Sequence, residues 1–338
     1  KRQFLDVYEV EPDVVAHDLH PDYPATRWAL EAVETSAAGW LGKLAGKPTL
    51  AVQHHHAHLA ACLAENQIAG TALGVTWDGT GYGPDGTVWG GEFLLGDAAQ
   101  FRRVARLRPF RLPGGDAAVK EPRRVAMAAL WEMWGAAAFE RQDLAPVQAT
   151  NAEERRLLAV MLEKGFRSPI TSSAGRLFDV AAALVGLQQR VSFEGQAAMA
   201  LEFVADTNES QSYPFDVSPA ADAAEILEID WQPTLEALIE DSQRRADPGI
   251  IAARFHNALA EAIVAIAGAI GESRVALTGG CFQNRLLTER TARRLRESGL
   301  DVIVHRQVPA NDGGISLGQV AVATAQAGDE ARATGKEC

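Results

Sequence analysis

Cysteine is scarce: the 338 residues hold three, Cys62, Cys281 and Cys338, widely spaced and odd in number. That count excludes a disulfide framework and any CxxC zinc knuckle, and it fits a reducing, cytoplasmic setting. Positive charge is in deficit as well. Lys and Arg number 32 against 44 Asp and Glu, a net charge of −12, which argues against a basic footprint for DNA or RNA backbones. Long hydrophobic runs are missing. The longest, Ala258 to Ile270, is interrupted by Glu261 and falls short of the ~20 residues a spanning helix needs. The N-terminus starts Lys1-Arg2-Gln3-Phe4, without Met and without a hydrophobic segment leading to a cleavage site. Its abrupt start is expected of part of a longer polypeptide. No short-period repeat is present.

The chain does have the composition of an ordinary globular protein, with 47% apolar and 22% charged residues. At ~150 residues per domain the length suggests two domains or one large bilobal one. The hydrophobic pattern alternates between strand and helix, an α/β arrangement. Strands are expected at Val14 to Ala16, Leu50 to Val52, Leu73 to Trp77, Thr87 to Leu95, Arg274 to Thr278 and Asp301 to His305. Helices are expected from Thr26 to Leu44 (with Ala37 and Trp40 on its apolar face), His54 to Asn66, Pro122 to Trp134 and Ala152 to Lys164. Further helices fit Ser172 to Leu187, Glu194 to Phe203, Ile250 to Ile270, Asn284 to Ser298 and Ile315 to Ala325. Asp78 to Gly83 reads as a glycine-rich turn, Ser210 to Pro219 as an exposed polar loop, and Gly328 to Cys338 as a frayed tail.

Chemistry concentrates in Gln53-His54-His55-His56-Ala57-His58, where four of the eight histidines fall within five positions. On a helix His54 and His58 share a face, so both imidazoles can reach one ion, while His55 and His56 point elsewhere. A mixed histidine–carboxylate set with open positions suits Fe²⁺ or a catalytic Zn²⁺; the alternative is a polar helix start with surface histidines. The carboxylates have to come from afar. Asp78 ends an apolar strand, where open α/β sheets place ligands, and Asp312 sits in the glycine-flexed Asn311-Asp312-Gly313-Gly314; each could equally be a turn former or a cap. Gly79, Thr80 and Gly81 offer a candidate anion nest, and Gly279-Gly280 lets backbone approach a planar or phosphorylated ligand. Turns needing positive φ would explain either stretch equally well. Arg176 and Asp179 form a local ion pair or contact a nucleotide. Glu194 is a ribose-binding carboxylate or a helix-terminal acid. Cys281 has no adjacent base and reads as a packed thiol.

Taken together, these residues resemble the C-terminal carbamoyltransferase region of the HypF family of hydrogenase-maturation proteins. The resemblance is carried by Val15 to Tyr23, Val52 to His58, Trp77 to Gly83, Leu112 to Ala117, Ser172 to Asp179, Glu194 to Met199, Gly279 to Asn284 and Asn311 to Gly314, in order along most of the chain. It implies a bilobal fold similar to actin, heat-shock ATPases and sugar kinases (the ASKHA superfamily). It divides the chain into an N-terminal lobe with the histidines (1–110), a helical insert with the nucleotide-binding lobe (111–330) and a tail (331–338). It further implies that His54, His58, Asp78 and Asp312 hold iron or zinc and serve catalysis, with Gly79, Thr80, Gly81, Gly175, Asp179, Glu194, Gly279, Gly280 and Asn284 near an ATP-derived carbamoyl-adenylate.

The implied activity is transfer of the carbamoyl group to the C-terminal cysteine of a HypE-type partner. The dehydrated product then supplies a cyanide ligand for the [NiFe] site. The family's adenylate-forming YrdC-like domain has no counterpart in these residues, which leaves the transfer half-reaction. Nor is the usual initial Gly-rich strand turn found in residues 1–16, so the first lobe is expected to be incomplete. Two other readings stand beside this one: a tRNA threonylcarbamoyl transferase-like enzyme, disfavoured by the −12 charge, and a non-catalytic nucleotide-binding assembly module.

Overall fold

The structure, a computed structural model, describes residues 11–34 and 43–334. Strands β1 (Val15–Asp18) and β2 (Thr49–Val52) pair in parallel, with helix α1 (Pro24–Glu34) between them in sequence. Helix α2 (His54–Glu65) follows β2 after one residue, Gln53, whose Oε1 accepts the His56 N–H at 2.8 Å and caps the helix. Next come β3 (Ala72–Tyr82), β4 (Val88–Gly96) and β5 (Phe101–Leu107), an antiparallel meander, and the short β6 (Phe110–Arg111). The middle is helical: α3 (Pro122–Trp134), α4 (Ala152–Lys164), then β7 (Ile170–Thr171), α5 (Ala174–Leu184) and α6 (Gln196–Val204), with shorter turns of helix between. A hairpin of β8 (Asp216–Ala220) and β9 (Ala223–Asp230) leads to α7 (Gln232–Gln243) and α8 (Pro248–Ile270). The chain then alternates β10 (Arg274–Thr278), α9 (Arg285–Glu297), β11 (Asp301–Val304) and α10 (Ile315–Thr334).

Among the described residues the main sheet runs β11-β10-β3-β4-β5-β9-β8, with β6 and β7 at its side. It is a mixed sheet, since β11, β10 and β3 are parallel and β3, β4 and β5 antiparallel. Side chains alternate across it. Leu73, Val75, Trp77 and Phe93 face a core built with Val125 to Leu130 of α3, Phe178 of α5 and Phe255 and Ile263 of α8. The opposite face buries Leu94, Ala276 and Ile303 against Leu59, Cys62 and Leu63 of α2. Gly74 makes that seat possible, because a Cβ there would come 2.9 Å from Leu59 Cδ1. Helix α10 closes over α2 at Gly318, whose missing Cβ would overlap the Ala57 carbonyl oxygen and lie 2.6 Å from its carbon. Two glycines therefore fix how α2 sits, and α2 carries the histidines.

Several expectations change. The helix expected over Thr26 to Leu44 is described over Pro24–Glu34, and residues 35–42, with Ala37 and Trp40, lie outside the described residues. Asp78 to Gly83 is not a turn: β3 stays extended to Tyr82, and Gly79 and Gly81 are absent from the positive-φ glycines. The polar stretch Ser210 to Pro219 enters β8 from Asp216. Helix α10 continues through the expected tail to Thr334. Helix α8 reaches 23 residues and is long and apolar enough, by length and composition, to cross a membrane. Two-thirds of its apolar stretch is buried inside the protein, with Phe255, Ile263 and Ile266 in the core, as for a central core helix.

Candidate functional site

Helical geometry divides the histidines. His54 and His58, one turn apart on α2, present ring nitrogens to one point. His56 turns away to hydrogen-bond the Asp97 carbonyl at 2.8 Å, and His55 is buried with its Nε2 4.0 Å from Glu92. Asp78 reaches the same point because β3 bulges. Trp77 pairs with Gly91 and Gly81 with Trp89, so four steps on β3 match two on β4, and the surplus pushes residues 78–80 out of the ladder. On the other side β10 pairs with β3 only as far as Thr76. There the chain leaves the sheet through Gly279, at φ +98°, where a Cβ would overlap the Trp77 backbone and only glycine fits. Asp312 arrives from a turn of 3₁₀ helix ahead of α10, with Asn311 accepting the Gly313 N–H at 3.0 Å.

The four donors lie within 4.8 Å of one another. His58 Nε2 is 3.0 Å from Asp78 Oδ2 and 3.4 Å from Asp312 Oδ1, while His54 Nε2 is 3.7 Å and 3.4 Å from the same oxygens. Bonds of about 2.0–2.1 Å to one tetrahedral or octahedral ion put neighbouring donors about 3.0–3.4 Å apart, so this set needs only small adjustments to close on a cation. His54 Nε2 is also buried without a hydrogen-bond partner, as a ligand nitrogen awaiting an ion is. Two neutral imidazoles and two carboxylates cancel a divalent charge.

The electrostatics agree. Burial disfavours a charge on His54, yet the hydrogen bond to Asp18 and the neighbouring Asp312 and Asp78 carboxylates outweigh it, and the imidazole titrates well above its ordinary range. His58 is raised in the same way by Asp312 and Asp78. Burial works against ionised Asp78, but the two imidazoles hold it well below the usual carboxylate range. The nearby His54 and His58 imidazoles lower Asp312 too. Without a cation, protons on the histidines take its place; binding a divalent ion would expel them.

Asp78 and Asp312 also line a cleft of about 310 Å³, together with Gly79, Thr80, Gly175, Arg176, Asp179, Glu194, Gly280 and Cys281. The metal-ligand group and the cleft thus share two carboxylates. Close backbone approach shapes the walls: a Cβ on Gly175 would come 2.8 Å from Gly79 Cα, and one on Gly280 2.7 Å from Asp78 Oδ1. Ser173 caps α5 and donates its hydroxyl to the Asp78 and Gly79 carbonyls, pinning the helix start to the bulge. Of the residues expected near a nucleotide, Gly79, Thr80, Gly175, Asp179, Glu194 and Gly280 line the cleft. The other three sit behind it. Gly81 packs under the rings of His54 and His55, Gly279 turns the backbone, and Asn284 caps α9 through the Leu287 N–H and bonds His256. Burial and Asp78 push the Cys281 thiol well above its ordinary range, which keeps it protonated.

Asp18 escaped sequence reasoning. Its Oδ2 accepts from His54 Nδ1 at 2.8 Å and its Oδ1 from the His20 N–H at 2.8 Å, and it is 6% exposed. In the neutral ring this fixes the His54 tautomer with Nε2 bare and aimed inward. Only the tertiary pairing of β1 with β2 brings Asp18 to α2. Asp18→Asn is expected to weaken divalent-metal affinity about 10–100-fold with the circular-dichroism spectrum unchanged; a competition titration with a chelating dye measures it. Glu92 was missed too. It is fully buried, receives the Gly90 and Gly91 N–H groups and the Ser172 hydroxyl, and burial lifts its carboxyl to about 7.

The fold and site define a mixed α/β protein with a candidate metal centre bordering a cleft. Residues 74–319 match the family model described as "Carbamoyltransferase, Kae1-like Domain, second subdomain", and residues 1–65 match "HypF Kae1-like domain". The chain belongs to this family of HypF Kae1-like carbamoyltransferase domains. It is 43% identical over 332 residues to Carbamoyltransferase HypF of Rhodobacter capsulatus, covering 96% of this chain and 41% of that protein. It is 37% identical over 334 residues to a Carbamoyltransferase HypF homolog of Cupriavidus necator, covering 96% of this chain and 81% of that one. The crystal structure of full-length HypF in its phosphate- and nucleotide-bound form superposes with a TM-score of 0.85 at 35% identity, covering 95% of this chain and 40% of that one. The chain therefore spans about two-fifths of the length of most of the curated relatives it matches.

Proposed function

We propose that this chain carries out carbamoyl transfer from carbamoyl-adenylate to a cysteine thiolate of a HypE-type acceptor, the C-terminal half-reaction of HypF-type [NiFe]-hydrogenase maturation. The observation that carries the reading is the convergence of His54, His58, Asp78 and Asp312 on one point bordering a glycine-walled cleft. The donor set, two imidazole nitrogens and two carboxylate oxygens, suits iron(II) or zinc. Bound there, the ion would supply Lewis acidity toward the carbamoyl oxygen and offset the charge that develops on it.

The protein's own residues do the rest. Gly79, Thr80, Gly175 and Gly280 let the phosphoryl end lie against backbone, and Asp179 and Glu194 accept hydrogen bonds from the nucleotide. Sulfur of the acceptor bonds to the carbamoyl carbon as the bond to the phosphoryl oxygen breaks, and AMP leaves with that electron pair. The nucleophile comes from the partner, because Cys281 is held protonated with no hydrogen bond to its sulfur among the described residues. In this reading the fold is bilobal and actin-like, with lobes at 1–110 and 111–330 and a tail at 331–338, and the protein works in the cytoplasm.

The test supplies preformed carbamoyl-adenylate and an acceptor ending in cysteine to the metal-loaded chain. The expected result is a thiocarbamate on the acceptor, seen by mass spectrometry, and one AMP per transfer. Loss of AMP without acceptor modification, or modification independent of this chain, would overturn the reading.

A further inference from the structure

Among the described residues Arg176 is the one basic residue lining the cleft, against four carboxylates. It lies on α5, one helical turn before Asp179, with Nη1 3.1 Å from Asp179 Oδ2, and the two residues are only 2% and 3% exposed. The pair is poorly aligned: Arg176 Nε and Nη1 and Asp179 Oδ2 have no hydrogen-bond partner. On its other edge Arg176 Nη2 donates to Glu194 Oε1 at 3.4 Å, and Glu194 is largely exposed. Gly79 passes beneath, where a Cβ would come 3.3 Å from Arg176 Nη2 and 2.6 Å from Glu194 Oε1.

The four carboxylates have separate tasks. Asp78 and Asp312 face the histidines. Asp179 and Glu194 share a single guanidinium, which leaves that side of the cleft with an excess of negative charge. Such a wall repels phosphate and accepts hydrogen bonds from neutral donors, of which hydroxyls are the commonest on a small polar ligand. A carboxylate has to be ionised and correctly turned to accept two of them. Burial lifts the Asp179 carboxyl to about 6 although Arg176 opposes the rise. With the guanidinium gone, this buried group would lose the partner that opposes its protonation and sets its orientation.

We propose that Arg176 is a positioning residue: wedged between Asp179 and Glu194, its guanidinium holds both carboxylates turned to receive a pair of neighbouring hydroxyls on the ligand. The assignment rests on the nucleotide reading of the cleft, whose ribose carries that pair. It explains why a buried arginine with unused donors sits in a cleft whose other charged lining residues are all acidic.

Titration calorimetry of ADP, 2′-deoxy-ADP and 3′-deoxy-ADP into the intact chain and its variants tests it, with thermal midpoints measured in parallel. Loss of one hydroxyl is expected to weaken binding to the wild type about 10–100-fold, as for a hydrogen bond to a charged group. Arg176→Gln is expected to weaken ADP at least tenfold while barely changing the deoxy analogues, bringing their ratio below about threefold; Arg176→Lys keeps part of the discrimination. Asp179→Asn, with the arginine in place, flattens the ratio as well. A lower thermal midpoint in Arg176→Gln with discrimination intact would make the arginine merely structural and overturn the proposal. Equal binding of all three ligands by the wild type overturns the proposal and leaves the nucleotide reading standing. Failure of ADP to bind at all overturns both.

Discussion

His58→Ala is expected to bind less than a tenth of the wild-type complement of divalent metal and to transfer carbamoyl about 10²–10⁴-fold more slowly. The imidazole is 1% exposed and sits 3.0 Å from Asp78 and 3.4 Å from Asp312, so its loss removes one of four converging donors. A Lewis acid contributes several kcal/mol to stabilising developing charge, and each 1.36 kcal/mol is a factor of ten in rate. The variant also leaves Asp78 and Asp312 facing one imidazole instead of two, so the carboxylates lose part of what keeps them ionised. Elemental analysis after gel filtration and the thiocarbamate assay are measured on the same preparation. Transfer at the wild-type rate with unchanged metal content would remove His58 from the centre.

Gly318→Ala is expected to cost about 2–3 kcal/mol in urea unfolding and to weaken metal binding at least tenfold. Helix propensity alone points the other way, since alanine in a helix interior is favoured over glycine by about 1 kcal/mol. Packing wins here because the new Cβ would overlap the backbone of Ala57, which has no rotamer to yield; overpacking of this kind costs about 1–3 kcal/mol or more. Helix α2 has to move, and His54 and His58 flank the point of contact. Gly328 provides the control: on the same helix, with nothing within 4 Å of its Cβ position, its replacement by alanine is expected to stabilise. If Gly318→Ala stabilises like Gly328→Ala, the helices do not meet as described.

Much of this architecture follows from local pattern. Arg274–Thr278 and Ala152–Lys164 form over the predicted residues because each has a clean period and clear ends, Gly279 after the first and the Asn151 cap before the second. The His54/His58 pairing was legible because residues four apart share a helix face. Strands β5 and β9 were not. β5 carries Arg102, Arg103 and Arg106 among its apolar residues, and its period emerges only once Arg106 finds Asp222 and Glu228 across the sheet. Asp78 looked like a turn because glycines follow it; the bulge that actually presents it depends on register with β4, which no single segment encodes. Asp18 belongs to the same class, a partner supplied by a distant strand.

The order in which the ligands occur along the chain has a kinetic consequence. Within the described residues the two histidines come first, Asp78 soon after, and Asp312 with its covering helix α10 far later. During synthesis the first three donors emerge long before the fourth, and the contact that seats α2 against α10 cannot form until nearly all the described chain has left the ribosome. If these four residues hold an ion, the complete set is available only once the two ends of this fold have met, so that capture of the ion would report on closure of the fold.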